Sequence, residues 1–303
     1  DHGIGKYDGL EKITTSGIDH DCLRLLYSGG DKLYLPVENM NLLSRVGNSD
    51  FARDLDKLGL NNWQARKANV RKKIKDMAEK LIRVAAQREI ILTEKLSLPN
   101  YYDEFSKQFP FELTDDQDTA INDIISDLET GKLMDRLICG DVGFGKTEVA
   151  LRASFIVANS GYQVALVAPT TILVKQHIKS FKSRFKNTTV KVVGLSRMTN
   201  NKDRLIIKAG LKSGDINIVI GTHALLSNDV DFNNLGLLII DEEQHFGVGQ
   251  KEKIKELQGD IHVLTLTATP IPRTLQLSLS GLKNLSLITT PPVNRLAVRT
   301  FVL

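Results

Sequence analysis

The sequence predicts an α/β protein in which a parallel β-sheet covered by helices follows a small β module and a long helix. Three observations carry this prediction. Turn residues separate short apolar runs up to about residue 60, apolar positions then recur every three or four residues up to about residue 90, and apolar runs alternate with helical stretches after residue 100. With 303 residues, 42% of them hydrophobic, the chain is long enough for two domains.

Residues 1–62 are predicted to form the small β module. Short strands are expected at residues 2–5, 22–27 and 32–37, and the turn Ser28-Gly-Gly-Asp31 joins the last two into a hairpin. A module of this size has one small core and cannot bury both faces of an apolar strand. We therefore expect one face of the strand at 22–27 to be exposed.

Residues 63–100 are predicted to form a basic amphipathic linker helix, which the Pro99-Asn100 pair ends. Its apolar positions are Val70, Ile74, Met77, Leu81 and Ala85. From Trp63 to Leu98 the segment holds ten Lys or Arg against four Asp or Glu, a local charge of +6, whereas the whole chain carries +4. The basic side chains form either a solvated face or a surface near phosphate groups, and the pattern leaves both possibilities open.

Residues 101–303 are predicted to form the parallel sheet, because apolar runs alternate there with helical stretches. The expected strands are 137–139, 164–167, 192–193, 216–220, 237–240 and 263–266.

Composition argues against a membrane protein and against a disulfide or zinc scaffold. The longest apolar runs, such as 235–240, are far shorter than the roughly 20 residues that a membrane span needs. Cys22 and Cys139 are the only cysteines and have no partner at metal-ligand spacing, so we expect two buried thiols in a reducing cytoplasm. The N-terminus lacks a leader pattern, and the chain is expected to be a piece of a longer protein.

The strongest motif is a phosphate loop, Gly140-Asp-Val-Gly-Phe-Gly-Lys-Thr147, which fits G-x-x-x-x-G-K-[ST] between an apolar run and a helical stretch. Backbone N–H groups of such a loop face phosphate oxygens at a helix N-terminus. Lys146 would neutralise the β and γ phosphates, and Thr147 would hold Mg²⁺. The sequence thus predicts ATP and Mg²⁺ as cofactors, with loop contacts from Gly140, Asp141, Gly143, Gly145, Lys146 and Thr147.

Two further strands end in polar residues. The run 237–240 leads into Asp241-Glu242, where Asp241 is predicted to bind the metal ion and Glu242 to position the attacking water. The run 263–266 leads into Thr267-Ala-Thr269-Pro270. Because the carboxyl ends of parallel strands share one edge of a sheet, all three motifs can face one nucleotide.

The phosphate loop, Asp241-Glu-Glu-Gln244 and Thr267-Ala-Thr-Pro270, in this order, resemble motifs I, II and III of superfamily 2 helicases and translocases. The resemblance implies a RecA-like lobe. It also implies that Gln244, Thr267 and Thr269 couple hydrolysis to movement, although relatives often have His-Arg where Gln244-His245 stand here. The second motor lobe of this superfamily is not expected within the sequence.

Three more segments fit this resemblance. Pro169, Thr170 and Thr171, and likewise Gly221, Thr222 and His223, stand where relatives contact phosphates of DNA, although on their own they are typical of helix caps. Phe109 and Gln117 resemble a motif in which the aromatic ring stacks on adenine and the glutamine reads it. Thr114 is also predicted to cap the helix from residue 115 to 128.

The runs 243–248 and 266–275 narrow the resemblance to the subgroup that includes RecG-like helicases and the bacterial transcription-repair coupling factors. Residues 2–7, 32–37 and 58–63 resemble the SH3/Tudor-like RNA-polymerase-interaction module of the coupling factors. The resemblance implies a translocase on double-stranded DNA that contacts the polymerase β subunit. It also implies recruitment of excision repair through domains outside this sequence.

For the polymerase contact we single out Leu23 and Arg24, which lie on opposite faces of their strand. The pattern leaves open whether Leu23 is exposed for docking or buried in the core of the module. Two alternatives are retained. One is a RecG-like fork-remodelling helicase, although residues 1–60 leave too little room for its five-stranded wedge domain. The other is a module that binds nucleotide without appreciable turnover.

Overall fold

The computed structural model describes residues 3–15, 17–44, 55–58, 90–268 and 284–292, together with seven single positions between 68 and 88. Contacts divide the chain into two units, Asp1–Leu81 and Ile82–Leu303. The predicted three-part division stays a prediction, because most of the linker segment lies outside the described residues.

The first unit contains a three-stranded antiparallel sheet in the order β1-β2-β3. The strands are β1 (Lys6–Thr15), β2 (Ile18–Leu26) and β3 (Lys32–Pro36), and a 3-10 helix, Val37–Leu42, follows. The predicted β module and its hairpin are confirmed. The strand predicted at residues 2–5 is wrong, because residues 3–5 are not in a strand and the first strand begins at Lys6.

Most of the buried residues of β2 lie on one face, and Cys22 on the other face is also buried. Leu23 is only 8% exposed, and Leu25 and Tyr27 on the same face are also buried. Arg24 points to the other face, where its Nη1 donates to Glu11 Oε2 of β1 at 2.9 Å. The hypothesis that Leu23 is exposed for docking is therefore wrong and the alternative, that Leu23 belongs to the core of the module, is confirmed.

The predicted linker helix is described at seven positions between 68 and 88, and all seven are helical. Its predicted apolar face at 70–85 and Trp63 lie outside the described residues. Arg88 is buried, and its guanidinium donates to the backbone carbonyls of Gln258, Gly259 (2.8 Å) and Ile261 (2.9 Å). These bonds lie within the second unit, to which Arg88 itself belongs.

The second unit is built on a seven-stranded sheet in which every neighbouring pair is parallel, in the order β10-β4-β9-β8-β5-β7-β6. The strands are β4 (Asp135–Gly140), β5 (Gln163–Val167), β6 (Val192–Leu195), β7 (Ile218–Gly221), β8 (Leu235–Asp241), β9 (His262–Thr267) and β10 (Asn284–Ile288). The six predicted strands and the RecA-like parallel fold are confirmed. The edge strand β10 was not predicted.

Helices cover both faces of this sheet. They are α1 (Tyr102–Lys107), α2 (Asp115–Glu129), α3 (Lys146–Asn159), α4 (Thr171–Arg184), α5 (Asn201–Ser213) and α6 (Val248–Leu257). Leu237 and Ile239 of β8 pack with α1 to α4, whereas Leu238 and Ile240 pack with α5 and α6. Strands buried on both faces read as unbroken apolar runs, which is why the sequence revealed them.

Both cysteines are buried and unbridged, as predicted. Burial raises the pKa of the Cys139 thiol to about 11. Within the described part of the chain, no helix has the length and apolar character to cross a bilayer.

Candidate nucleotide and nucleic-acid site

The predicted motifs meet along one edge of the sheet. The neighbouring strands β4, β9 and β8 end at the phosphate loop, at Thr267 and at Asp241. The next two strands, β5 and β7, end at the segments 169–171 and 221–223. Since all five strands are parallel, one half of this edge carries the predicted nucleotide motifs and the adjoining half carries the predicted nucleic-acid motifs.

The phosphate loop has the backbone that its glycines allow. Gly143 and Gly145 have φ of +81° and +82°, a conformation that L side chains rarely adopt. A Cβ at Gly145 would also lie 2.3 Å from Nε2 of Gln117. The loop then opens α3, which begins at Lys146, so its N–H groups stand at a helix N-terminus.

Lys146, the first residue of α3, bonds back to the start of the loop. Its Nζ donates to the carbonyls of Gly140 at 2.6 Å and Asp141 at 3.1 Å. Burial lowers the pKa of Lys146, and the carboxylates of Glu242 and Asp241 oppose that shift. The phosphate loop and the Asp241-Glu242 pair are therefore close enough for their charges to interact. A site that binds a phosphate chain together with a cation requires this proximity.

The donor set fits a magnesium ion carried by a nucleotide. Among the described residues, no group of three or more His, Cys, Asp or Glu could hold a metal ion by itself. Mg²⁺ at nucleotide sites takes one or two protein ligands and completes its shell with phosphate oxygens and water. The hydroxyl of Thr147 and the carboxylate of Asp241 are suitable ligands, and ATP would bring the rest.

Asp241 is the last residue of β8 and is only 7% exposed. Its Oδ2 lies 2.8 Å from Nε2 of His177 on α4. Sequence reasoning missed His177, because the pair is separated by 64 residues. The only feature of the sequence that pointed to His177 was its position about one and a half helical turns after the predicted nucleic-acid segment 169–171.

Glu242 has a φ of +52°, and among the described residues it is the only non-glycine with positive φ. Such a conformation costs on the order of 1–3 kcal/mol and persists where the surroundings enforce it. The Glu242 carboxylate accepts from Ala268 N at 2.9 Å and from Gln244 Nε2, while Thr267 Oγ1 donates to Gln244 Oε1 at 3.4 Å. The structure thus joins Gln244 and Thr267 to Glu242, whereas Thr269 lies outside the described residues.

Gln117 is a buried side chain that is hydrogen-bonded to the phosphate loop. It is 1% exposed, its Nε2 donates to Phe144 O at 2.8 Å, and its Oε1 accepts from Thr114 N at 3.1 Å. Gln117 N in turn donates to Thr114 Oγ1 at 3.3 Å, so the predicted cap of α2 is confirmed. Its role as an adenine reader stays a prediction, as does that of Phe109, whose ring lies 5.5 Å from that of Phe111.

The two segments predicted to contact nucleic acid follow neighbouring strands and cap helices. Thr170 is exposed and its side chain accepts from Leu173 N at 3.2 Å at the start of α4, beside Pro169 and Thr171. Thr222 is buried, and its side chain accepts from Ala224 N at 3.5 Å.

The loop after β6 adds an unpredicted cation to this half of the edge. The exposed Arg197 places Nη2 2.9 Å from Nε2 of His223. Burial and the charge of Arg197 lower the pKa of His223, which favours the neutral ring that can accept this bond. At Gly221, a Cβ would lie 2.2 Å from the Leu195 carbonyl, so only glycine lets β6 and β7 end this close together.

Comparison with known proteins gives two family matches and a set of long relatives. The CarD-like/TRCF RID domain matches residues 1–47, and the DEAD/DEAH box helicase family matches residues 114–278. Transcription-repair-coupling factors are 54% identical in Rickettsia bellii, 48% in Bacillus subtilis and 45% in Escherichia coli K12. These matches cover 99–100% of this chain but only 26–27% of each relative. The chain therefore spans about a quarter of the length of the relatives it matches.

Among solved structures, RecG bound to a three-way DNA junction is similar with a TM-score of 0.62 and 32% identity. The match covers 87% of this chain and 36% of RecG.

Proposed function

The chain belongs to the DEAD/DEAH box helicase family, and from that premise we propose that it forms the polymerase-binding module and the first ATP-binding lobe of a DNA translocase that couples transcription to nucleotide excision repair. The observation that carries the proposal is the shared sheet edge, where a phosphate loop and paired carboxylates adjoin the helix caps Thr170 and Thr222. The residues proposed for ATP hydrolysis and those proposed for DNA contact therefore lie on the same sheet.

The nucleotide half assigns a task to each side chain. Lys146 holds the β and γ phosphates, and Thr147 and Asp241 hold the magnesium ion, whose charge stabilises the phosphate oxygens when it is bound. Glu242 is placed to orient the attacking water, since its carboxylate is fixed by Ala268 N and Gln244. Gln244 bonds to Glu242 and accepts from Thr267 Oγ1, so Gln244 and Thr267 are the candidates for relaying hydrolysis to the rest of the lobe.

The nucleic-acid half supplies a grip that does not depend on sequence. Helix caps and small residues contact phosphate oxygens, which carry no base information. Thr170 and Thr171 at α4, with Gly221, Thr222 and His223 beside them, are suited to follow one strand of a DNA duplex. Such contacts fit a motor that must move over any sequence.

The first unit is the proposed contact for the β subunit of RNA polymerase, on the strength of its match to the CarD-like/TRCF RID domain and the names of the relatives. Because Leu23 is buried, we assign the contact to the opposite face of β2, which carries Arg24. Recruitment of excision repair is assigned to parts of the relatives that this chain does not match.

Substitution of Lys146 by alanine tests the nucleotide half of the proposal. The variant loses the charge that the phosphates need, so binding of MgATP should be abolished in a calorimetric titration while the fold is kept. Lys186→Ala, an exposed lysine just after α4, is the matched control and should bind like the wild type. Unchanged affinity of the Lys146 variant, with a native circular dichroism spectrum, would contradict the assignment.

A RecG-like fork helicase is the second candidate, because the RecG structure covers 87% of this chain. The two candidates differ in the partner of the first unit. If purified RNA polymerase binds the immobilised chain, the coupling-factor proposal is supported. If the chain instead ignores polymerase and prefers a three-way DNA junction over a duplex, the fork-remodelling function is favoured.

A further inference from the structure

A buried hydrogen bond joins the two halves of the site. His177 and Asp241 are 6% and 7% exposed, and the His177 Nε2 to Asp241 Oδ2 distance is 2.8 Å. An ionised carboxylate only accepts hydrogen bonds, so Nε2–H of His177 is the donor. The bond therefore fixes one oxygen of the carboxylate that is suited to Mg²⁺.

His177 belongs to the helix that begins at the nucleic-acid half. It lies in the second turn of α4, whose cap is Thr170 and whose first residue is Thr171. The His177 ring meets the Phe181 ring edge-on at a centroid distance of 6.5 Å, and Phe181 is fully buried. Because this packing fixes the ring, His177 follows any displacement of α4.

We propose that His177 is a positioning residue that orients the Asp241 carboxylate for Mg²⁺ and, through α4, makes MgATP and DNA bind cooperatively. The inference rests on the proposed function and names the side chain that links its two halves. Hydrogen-bond partners of metal ligands typically change metal affinity by about 10–100-fold when removed. Because α4 carries both His177 and the proposed DNA contacts at Thr170 and Thr171, a change in metal affinity at Asp241 becomes coupling between MgATP binding and DNA binding.

Linkage gives the measurable quantity. If DNA displaces α4 toward the position in which His177 holds Asp241 best, MgATP tightens DNA binding by the same factor by which DNA tightens MgATP binding. The factor is obtained from the affinity for a fluorescein-labelled 20-base-pair duplex, measured by anisotropy. The three conditions are no nucleotide, ATPγS with Mg²⁺, and ATPγS with EDTA.

Two substitutions separate positioning from packing. His177→Leu fills the site but removes the donor, whereas His177→Gln keeps an N–H at the place of Nε2. Gln176→Ala, an exposed neighbour in the same turn, is the matched control. Thermal melts of all three variants show whether the lobe stays folded.

The wild type and Gln176→Ala should bind DNA about fivefold tighter or better with Mg²⁺-ATPγS than without nucleotide. His177→Leu should reduce this factor to about one and should weaken Mg²⁺-ATPγS about tenfold. It should leave the Mg²⁺-free affinities for ATPγS and DNA as they are. His177→Gln should restore most of the coupling.

Three results would overturn the inference: a wild-type factor of one, a factor retained by His177→Leu, or equal losses in the leucine and glutamine variants at an unchanged melting temperature. Failure of the proposed function has a different appearance, since the wild type would then bind neither Mg²⁺-ATPγS nor DNA.

Discussion

At the scale of single residues, Asp116 shows how one carboxylate can fix a whole segment. Its Oδ2 accepts the backbone N–H and the hydroxyl hydrogen of both Thr289 and Thr290, at 2.8–2.9 Å. These four bonds lower the pKa of Asp116 to about 2. Asp116 directly precedes Gln117 in α2, so the segment after β10 is tied to the helix that supports the phosphate loop.

Asp116→Asn should destabilise the lobe in a pH-dependent way. The carboxylate has a pKa of about 2 in the fold against an ordinary value of 3.8. Its stabilisation is thus fully present above about pH 4 and is lost as the pH falls toward 2. Melting curves should show the variant below the wild type by a few degrees at pH 7, with the difference closing at low pH.

The exposed neighbour Asp115 provides the control, because it shares the first turn of α2 and its charge near the helix N-terminus. Asp115→Asn should have a much smaller effect at pH 7. A difference between Asp116→Asn and the wild type that stays constant from pH 7 down to pH 2 would show that the four bonds do not depend on the charge.

Functional residues could be predicted where they are consecutive in the sequence. The phosphate loop and the Asp241-Glu242 pair each follow one strand, so strand and motif together placed them on one edge. His177 and Arg197 were missed, because their partners are 64 and 26 residues away in sequence. Pairing across the fold depends on how α4 and the loop after β6 lie, which no local pattern specifies.

At the scale of elements, the two faces of β2 differ in exposure, and only the more exposed face is available to a partner of the first unit. Cross-strand pairing sets Leu23 opposite Leu10 and Leu35, and Leu23 is buried. Arg24 on the other face pairs with Asp8 at 2.7 Å and Glu11 at 2.9 Å, in partly exposed positions where ion pairs contribute little to stability. Docking and folding should therefore depend on different faces of one strand.

Leu23→Ala and Arg24→Gln should separate these two roles. The first leaves a cavity and should cost roughly 2–5 kcal/mol, seen as faster hydrogen exchange across β1, β2 and β3. The second should keep native exchange but weaken capture of RNA polymerase. Native exchange in the leucine variant, or full polymerase binding by Arg24→Gln, would contradict the assignment of the corresponding face.

The elements themselves were predictable in proportion to their burial. The strands β4, β5, β7, β8 and β9 lie inside the sheet, and their apolar runs identified them. The edge strand β6 has one buried residue out of four, and only the pair Val192-Val193 marked it. β10 at the edge alternates buried and exposed residues over five positions, and most of β1 is exposed, so neither gave a continuous apolar signal. The error at Leu23 has a related cause, because both faces of β2 carry apolar residues and sequence alone does not say which face is covered.

At the scale of the whole molecule, the chain matches about a quarter of each relative's length, and the site described lies on a single lobe. The resemblance to superfamily 2 implies that a second lobe completes the ATP site and brings an arginine side chain to the phosphates. Binding and turnover should therefore respond differently when this lobe acts alone, since the proposed contacts for MgATP, namely Lys146, Thr147 and Asp241, all lie on it, whereas the transition state needs additional positive charge.

The chain by itself should bind MgATP but hydrolyse it slowly. An arginine supplied to the γ-phosphate typically accelerates hydrolysis by about 10³–10⁵, so an enzyme with an ordinary turnover near 10 s⁻¹ should fall to about 10⁻² s⁻¹ or less without it. Release of phosphate under steady-state conditions measures this directly, with Glu242→Gln as the background. Glu242→Gln should bind MgATP as the wild type does, because the role proposed for Glu242 is to position water rather than to hold phosphates. If the chain instead hydrolysed ATP near 10 s⁻¹ and Glu242→Gln abolished that rate, the single lobe would contain a complete catalytic site. The additional positive charge would then have to come from this chain, and Arg197 on the neighbouring half of the edge would be the first side chain to replace.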